Sequence, residues 1–189
     1  HLTKLGLLSQ YVTKNAAPRA VYESKLKGSF RKSEISNFFT GSGGFIKSDS
    51  GTYDALIVDE AHRLNAKSGM FKNLGENQIK EIINASKFSI FFIDENQKVA
   101  IHDIGEKDEI RKWAEKENAE VVELELSSQF RCNGSDGYLA WLDHVLQLKE
   151  TANSVFERDE FDFQVFDSPS KLRDEIFEKN KLTNKARLV

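Results

Sequence analysis

Two adjacent carboxylates, Asp59 and Glu60, form the pattern in this sequence with the clearest chemistry. They follow the apolar run Ala55-Leu56-Ile57-Val58, which is typical of a strand buried on both faces of a parallel sheet. In a nucleotide-hydrolysing site, the Asp at such a strand end holds magnesium and the Glu after it polarises the attacking water. The alternative is an acidic turn that simply closes a strand.

Two further segments place polar residues after a predicted strand. The apolar residues 88–93 lead into Asp94-Glu95-Asn96-Gln97, far enough after Asp59 for a helical crossover. The residues 121–124 form a third strand candidate, and Phe130-Arg131 comes shortly after it. The alternatives are an Asx-type turn for the first segment and a structural salt bridge for the arginine.

These three strand ends resemble, in chain order, three motifs of superfamily 1 helicases. Asp59-Glu60-Ala61-His62 resembles the Walker B motif, and Asp94 to Gln97 resembles an Asp-x-x-Gln motif whose Gln senses the terminal phosphate. The segment around Arg131 resembles one whose arginine reaches that phosphate. The resemblance implies that Asp59 holds the metal, that Asp59 and Arg131 bind ATP, and that Glu60, Gln97 and Arg131 are catalytic.

A fourth segment, Thr13-Lys14-Asn15, follows a short strand candidate and resembles helicase motif Ia. In that family the motif contacts the backbone of single-stranded nucleic acid. Lys14 would meet a phosphate and Asn15 would hydrogen-bond to it. The alternative is that Asn15 caps a helix that begins near Pro18.

Nearly the whole chain resembles bacterial ATPases related to the Schlafen group 3 DNA/RNA helicase domain. The resemblance implies two RecA-like domains with ATP and Mg²⁺ between them, a single-stranded DNA or RNA partner, and possibly a fused nuclease domain. Residues 1–185 would form the first RecA-like domain, and residues 186–189 would begin the second. A nucleotide-gated or degenerate interaction module without translocation is the alternative function.

One expected motif is missing. Gly41-Ser42-Gly43-Gly44-Phe45-Ile46-Lys47-Ser48 approaches the phosphate-binding loop, but Ile46 replaces its second Gly and no helix is predicted after it. We interpret residues 41–51 as a loop. The expectation is that the true phosphate loop lies upstream of His1, and that the chain alone is inactive.

Strands and helices alternate along the chain, which predicts an α/β fold: a mostly parallel sheet with helices on both faces. The resemblance implies that this is an incomplete RecA-like P-loop NTPase domain. The predicted strands are residues 10–13, 55–58, 88–93, 121–124 and 161–166. The predicted helices are residues 18–27, 78–85, 106–118, 138–148 and 170–178.

Composition sets the remaining limits. The formal net charge of −3 gives no basic footprint over the whole chain, so nucleic-acid binding would need a local patch. No apolar run is long enough for a membrane helix, so no membrane partner is expected. The single cysteine, Cys132, cannot form an internal disulfide, which favours a reducing, cytoplasmic location.

Overall fold

The structure is a computed structural model, and it describes residues 1–69, 71–98, 100–126, 136–151 and 163–183. The chain divides into two compact units, residues 1–123 and residues 124–189. The sheet and the acidic strand end both belong to the first unit. The described part of the second unit contains two helices, α5 (Asp136–Val145) and α6 (Pro169–Thr183).

The first unit is built on a four-stranded sheet in which every pair of neighbouring strands is parallel. The strands are β1 (Ser9–Thr13), β2 (Phe39–Thr40), β3 (Ala55–Asp59) and β4 (Ser89–Phe91). Their order across the sheet is β2-β1-β3-β4. This is the parallel sheet that the sequence predicts.

Four α-helices accompany these strands in the described part of the first unit: α1 (Ala16–Leu26), α2 (Lys32–Phe38), α3 (Gln78–Ala85) and α4 (Lys107–Lys116). Short 3-10 turns lie at Thr3–Leu5, Ser42–Phe45, Ala61–Arg63 and Glu95–Gln97. None of the helices in the described ranges is both long and apolar enough to span a membrane.

Aromatic side chains connect α1 to one face of the sheet. The ring of Tyr11 in β1 lies edge-on to Tyr22 of α1 and to Phe39 of β2, with centroids 5.6 and 5.9 Å away. The rings of Tyr22 and Phe39 are themselves stacked. Helix α1 therefore lies on the face to which Tyr11 points.

The opposite face carries the aliphatic core. Val12 follows Tyr11 and so points to the other side of the sheet. There it is fully buried in a cluster with residues of β3 and α3. The aliphatic members from these three elements are Val12, Leu56, Val58, Ile79, Ile82 and Ile83. Helices α1 and α3 therefore cover opposite faces of the sheet.

Helix α3 has the bounds that the sequence predicts, and its capping residue explains where it begins. The Asn77 side chain accepts hydrogen bonds from the backbone N–H groups of Ile79 and Lys80, at 2.9 and 3.3 Å. Such a cap satisfies donors that the first helical turn leaves unpaired. The helix then presents isoleucines at helical spacing to the sheet.

Two predicted strands are wrong over the described residues. Residues 121–126 form neither a strand nor a helix, and their apolar side chains are exposed. Residues 163–166 are also irregular, whereas residues 161 and 162 lie outside the described part of the chain. A strand needs a partner that accepts and donates backbone hydrogen bonds, and apolar composition alone does not supply one.

The segment predicted as a loop, residues 41–51, contains more structure than expected. Ser42–Phe45 forms a 3-10 turn, and Phe45 is buried in the core. The ring of Phe45 lies edge-on to Tyr53, with centroids 5.6 Å apart. This glycine-rich segment thus anchors the connection between β2 and β3.

Candidate functional site at the strand ends

The strand order places the carboxyl ends of β1 and β3 at the point where the sheet changes direction. The connection after β1 leads outward to β2, and the connection after β3 leads the opposite way to β4. Open α/β sheets bind ligands in the crevice that forms at such a switch point. The last paired residues on its two sides are Thr13 and Asp59.

Asp59 ends β3 with both carboxylate oxygens engaged. Oδ1 accepts the backbone N–H of Glu60 at 3.0 Å, and Oδ2 accepts the Tyr11 hydroxyl through a short hydrogen bond. Partial burial and this bond raise the pKa of the Tyr11 hydroxyl well above its ordinary value, so it remains a donor. Each carboxylate oxygen can accept a second bond, and Asp59 is only partly buried.

Glu60 has a left-handed backbone conformation, with φ 53° and ψ 43°. A residue other than glycine in this region carries a strain of about 1 kcal/mol or more. The turn directs the Glu60 carboxylate towards His62, whose Nε2 lies 3.1 Å from Glu60 Oε2. The Glu60 side chain remains about one-third exposed (31%), so it is accessible at the rim of the sheet.

His62 is buried and connects two strand ends. Its Nδ1 accepts the backbone N–H of Asp94 at 3.4 Å. In the neutral ring the proton is then on Nε2, which donates to Glu60. Through His62, the carboxylate after β3 is linked to the turn after β4.

The turn after β4 is organised by Asp94. One carboxylate oxygen accepts the backbone N–H of Asn96 at 3.1 Å, and the other accepts the side-chain amide of Gln97 at 2.8 Å. The Asx-type turn that the sequence allows is therefore present, and Gln97 is part of it. Glu60, His62, Asp94 and Gln97 form one continuous hydrogen-bonded chain.

The segment after β1 is also held by side chains. Thr13 is buried, and its hydroxyl accepts the backbone N–H of Asn15 at 3.3 Å. Lys14 Nζ donates to the backbone carbonyl of Arg63 at 2.9 Å and to Asp103 at 3.3 Å. Asn15 precedes α1, but its side chain makes no capping bond and accepts Arg63 Nη1 at 3.3 Å instead.

The structure therefore brings together most of the residues that the sequence singles out. Glu60 is linked to the Asp94–Gln97 turn through His62. It is linked to Asn15 through Arg63, whose backbone N–H donates to the Glu60 carbonyl. Arg131 lies outside the described residues. Among the described residues there is no group of three or more His, Cys, Asp or Glu side chains that could hold a metal by itself.

The sequence did not point to Tyr11 or Asp103. Tyr11 looks like an ordinary strand aromatic, and its contact with Asp59 follows from the register of β1 against β3. Asp103 is a lone carboxylate in an irregular segment, and its partner Lys14 is distant in sequence. Neither residue belongs to a recognisable motif, so only the fold reveals them.

The fold and the strand ends define a parallel α/β domain with two adjacent carboxylates at its switch point. A comparison with protein families gives a match over residues 1–189 to the Schlafen group 3, DNA/RNA helicase domain. The chain belongs to this family, whose name indicates a helicase-like function. Neither the curated proteins nor the solved structures gave a match.

Proposed function

We propose that the chain is the first RecA-like, P-loop NTPase motor domain of an ATP-dependent nucleic-acid helicase or translocase. ATP would bind at the carboxyl ends of the strands, facing a second RecA-like domain of the same protein. One observation carries the proposal: Asp59 ends β3 at the switch point, and the adjacent Glu60 is linked to the Asp94–Gln97 turn through the buried His62. A ligand crevice is expected at this position in open parallel sheets.

The donor set at Asp59 fits magnesium bound together with ATP. Mg²⁺ prefers oxygen ligands and is usually held by one or two carboxylates plus substrate phosphates. Asp59 offers such oxygens and is partly buried, and Tyr11 and the Glu60 backbone orient its carboxylate. When bound with ATP, the metal ion supplies charge neutralisation on the phosphates.

Glu60 is the proposed general base. Its carboxylate is accessible at the rim, and His62 holds it from the buried side. A base held in this way can accept a proton from water without first changing its rotamer. The strained backbone of Glu60 supports a functional position, because such strain is concentrated at active sites.

Gln97 and Arg131 are the proposed phosphate contacts. Gln97 is exposed, and its bond to Asp94 links it to His62 and Glu60. A change at Gln97 on phosphate binding would therefore be transmitted to the base. The role of Arg131 rests on its place in the motif alone, and it would stabilise charge on the terminal phosphate.

Single-stranded DNA or RNA is the proposed partner of residues 13–15. Asn15 and Arg63 meet beyond the carboxyl end of β1, and Arg63 is only partly buried. Arginine and asparagine side chains are common donors to nucleic-acid phosphates. This segment also adjoins the acidic strand end through the β1–β3 pairing.

The test is ATP turnover by the full-length protein, with and without single-stranded DNA or RNA. We expect Glu60→Gln to lower turnover by about 10²-fold or more, because the base is lost while the shape is kept. Glu115→Gln, the same change on the exposed surface of α4, is the matched control and should leave turnover unchanged. Equal turnover by wild type and Glu60→Gln would refute the assigned role.

The same assay separates the alternative function. A degenerate interaction module would bind a partner without hydrolysing ATP. Absent turnover in the wild-type full-length protein, together with retained nucleic-acid binding, would favour that module over a motor.

A further inference from the structure

Asp103 is a buried carboxylate that the proposed chemistry does not use. Its side chain is 1% exposed, yet it makes three polar contacts. Oδ1 lies 3.3 Å from Lys14 Nζ and 3.4 Å from Asn65 Nδ2, and Oδ2 accepts the backbone N–H of Ala100 at 3.2 Å. Burying a charge is costly unless it is paired and hydrogen-bonded, so this arrangement needs all three partners.

The partners of Asp103 come from three different segments. Lys14 follows β1, Asn65 follows the Ala61–Arg63 turn, and Ala100 belongs to the connection between β4 and α4. The segment with Lys14 is the proposed nucleic-acid contact. The turn before Asn65 begins directly after Glu60, the proposed general base. Asp103 is therefore placed where the two proposed sites meet.

Backbone contacts reinforce this junction. The N–H of Ile104 donates to the carbonyl of Leu64 at 2.8 Å. Gly105 packs so closely that a Cβ built on it would lie 1.9 Å from the carbonyl oxygen of Ala61 and 2.5 Å from Cα of His62. The segment 103–105 thus holds the turn that carries His62 against the rest of the domain.

Lys14 contributes its charge within the domain. Its ammonium has two internal acceptors, the Arg63 carbonyl and Asp103, and its side chain is 34% exposed. The sequence suggested that Lys14 contacts a nucleic-acid phosphate. In the structure, its ammonium joins the segment after β1 to the turn after β3.

We infer that Asp103 is a positioning residue that couples the nucleic-acid segment to the acidic strand end, with Lys14 as its cation. The inference rests on the proposed function. Asp103 touches neither reacting atoms nor nucleic acid. It keeps residues 13–15 and the Glu60–His62 turn in one arrangement, so that nucleic acid bound at the first stimulates hydrolysis at the second.

The experiment compares wild type, Asp103→Asn and Lys14→Met in the full-length protein. Two quantities are measured: the ratio of nucleic-acid-stimulated to basal ATP turnover, and the hydrogen exchange of the backbone amides of Leu64 and Ile104. We expect Asp103→Asn to lower the ratio about fivefold or more, as for loss of an allosteric coupling, while its basal turnover changes less than about twofold. Exchange at the two amides should accelerate about tenfold.

The two substitutions should also be non-additive. Each substitution removes the Lys14–Asp103 ion pair. The double variant should therefore resemble the single variants, and its effect should be smaller than the sum of their effects. The matched control is the exposed pair of Lys181 and Glu178, 2.6 Å apart on α6. Lys181→Met should leave the ratio and both amides unchanged.

Three results would overturn the inference. The first is an unchanged ratio and unchanged exchange in both single variants. The second is a ratio that stays constant because basal and stimulated turnover fall together, which would make Asp103 merely structural. The third is additive effects of the two substitutions. If wild type hydrolyses no ATP, the proposed function fails, whereas slower exchange in wild type than in the variants would still support the Asp103 junction.

Discussion

The carboxylates of Asp59 and Glu60 differ from that of Asp103 in their exposure to solvent. Asp59 and Glu60 lie at the rim of the sheet, are partly exposed, and keep free lone pairs. Asp103 is almost completely buried, and its carboxylate contacts a lysine, a side-chain amide and a backbone N–H. Asp59 and Glu60 are therefore available to a ligand, whereas Asp103 forms its contacts within the protein.

The comparison shows that burial and partners, and not residue type, separate a ligand site from a structural one. A carboxylate that is accessible and held by neutral donors can still bind a cation. A carboxylate whose charge is already paired inside the domain stabilises the arrangement of its neighbours instead. Substitutions at Gly105, Tyr11 and Lys87 test this difference.

Gly105→Ala should disturb both the Asp103 contacts and the turn that follows Glu60. The added Cβ would overlap the backbone of Ala61 and His62, which cannot move aside as a flexible side chain could. We expect a loss of about 3 kcal/mol or more in the free energy of unfolding, or failure to fold. Urea denaturation followed by circular dichroism measures this.

The control for that prediction is Gly41→Ala. Gly41 has φ −85°, and a Cβ built on it meets no atom within 4 Å. Its free energy of unfolding should stay within about 0.5 kcal/mol of wild type. Equal stability of the two alanine variants would contradict the close packing at Gly105.

Tyr11→Phe should affect only the carboxylate of Asp59 at the rim of the sheet. It removes the hydroxyl that donates to Asp59, which should cost about 1 kcal/mol in the free energy of unfolding near neutral pH. The pKa of Tyr11 is raised in the folded state above an unfolded value of about 10. Its stabilisation is therefore complete below that pH and is lost as the pH rises above it.

The difference in stability between wild type and Tyr11→Phe should consequently shrink between about pH 8 and about pH 11. Urea denaturation at both pH values measures the change. Tyr53→Phe, which removes a hydroxyl before the opposite end of β3, is the matched control. A difference that is constant or grows with pH would contradict the Tyr11–Asp59 bond.

Lys87→Met should have the smallest effect on stability, because it removes an ion pair whose lysine is exposed to solvent. Lys87 Nζ lies 2.8 Å from Asp54 Oδ1, and the lysine side chain is 68% exposed. This hydrogen bond lowers the pKa of Asp54. Solvent screens such pairs, so the melting temperature should change by no more than about 2 °C. A larger change in melting temperature would contradict the assignment of this ion pair to the exposed, screened class.

Much of the fold could be predicted from the sequence because the decisive signals are local. The apolar run before Asp59 predicts β3, and the isoleucines after Asn77 predict α3. The same reasoning failed for residues 121–124, because a strand also needs a neighbouring backbone. Strand β2 has only two residues and is too short to show any periodicity.

The site residues also separate into those that local motifs predict and those that depend on distant partners. Asp59, Glu60 and Gln97 were identified because each follows a predicted strand within a short motif. The roles of Tyr11 and Asp103 depend on partners 48 and 89 positions away, which no local pattern reveals. The structure also gives Lys14 an internal partner, a contact that its exposed-looking sequence context did not indicate.

The most direct test of the central claim is metal binding at the acidic strand end. Mn²⁺ can replace Mg²⁺, and its binding to the full-length protein with ATP can be followed by electron paramagnetic resonance. We expect Asp59→Asn to weaken Mn²⁺ binding roughly tenfold or more, while Asp54→Asn, just before the opposite end of β3, leaves it unchanged. Wild-type affinity in Asp59→Asn would contradict the claim that Asp59 holds the metal and its nucleotide.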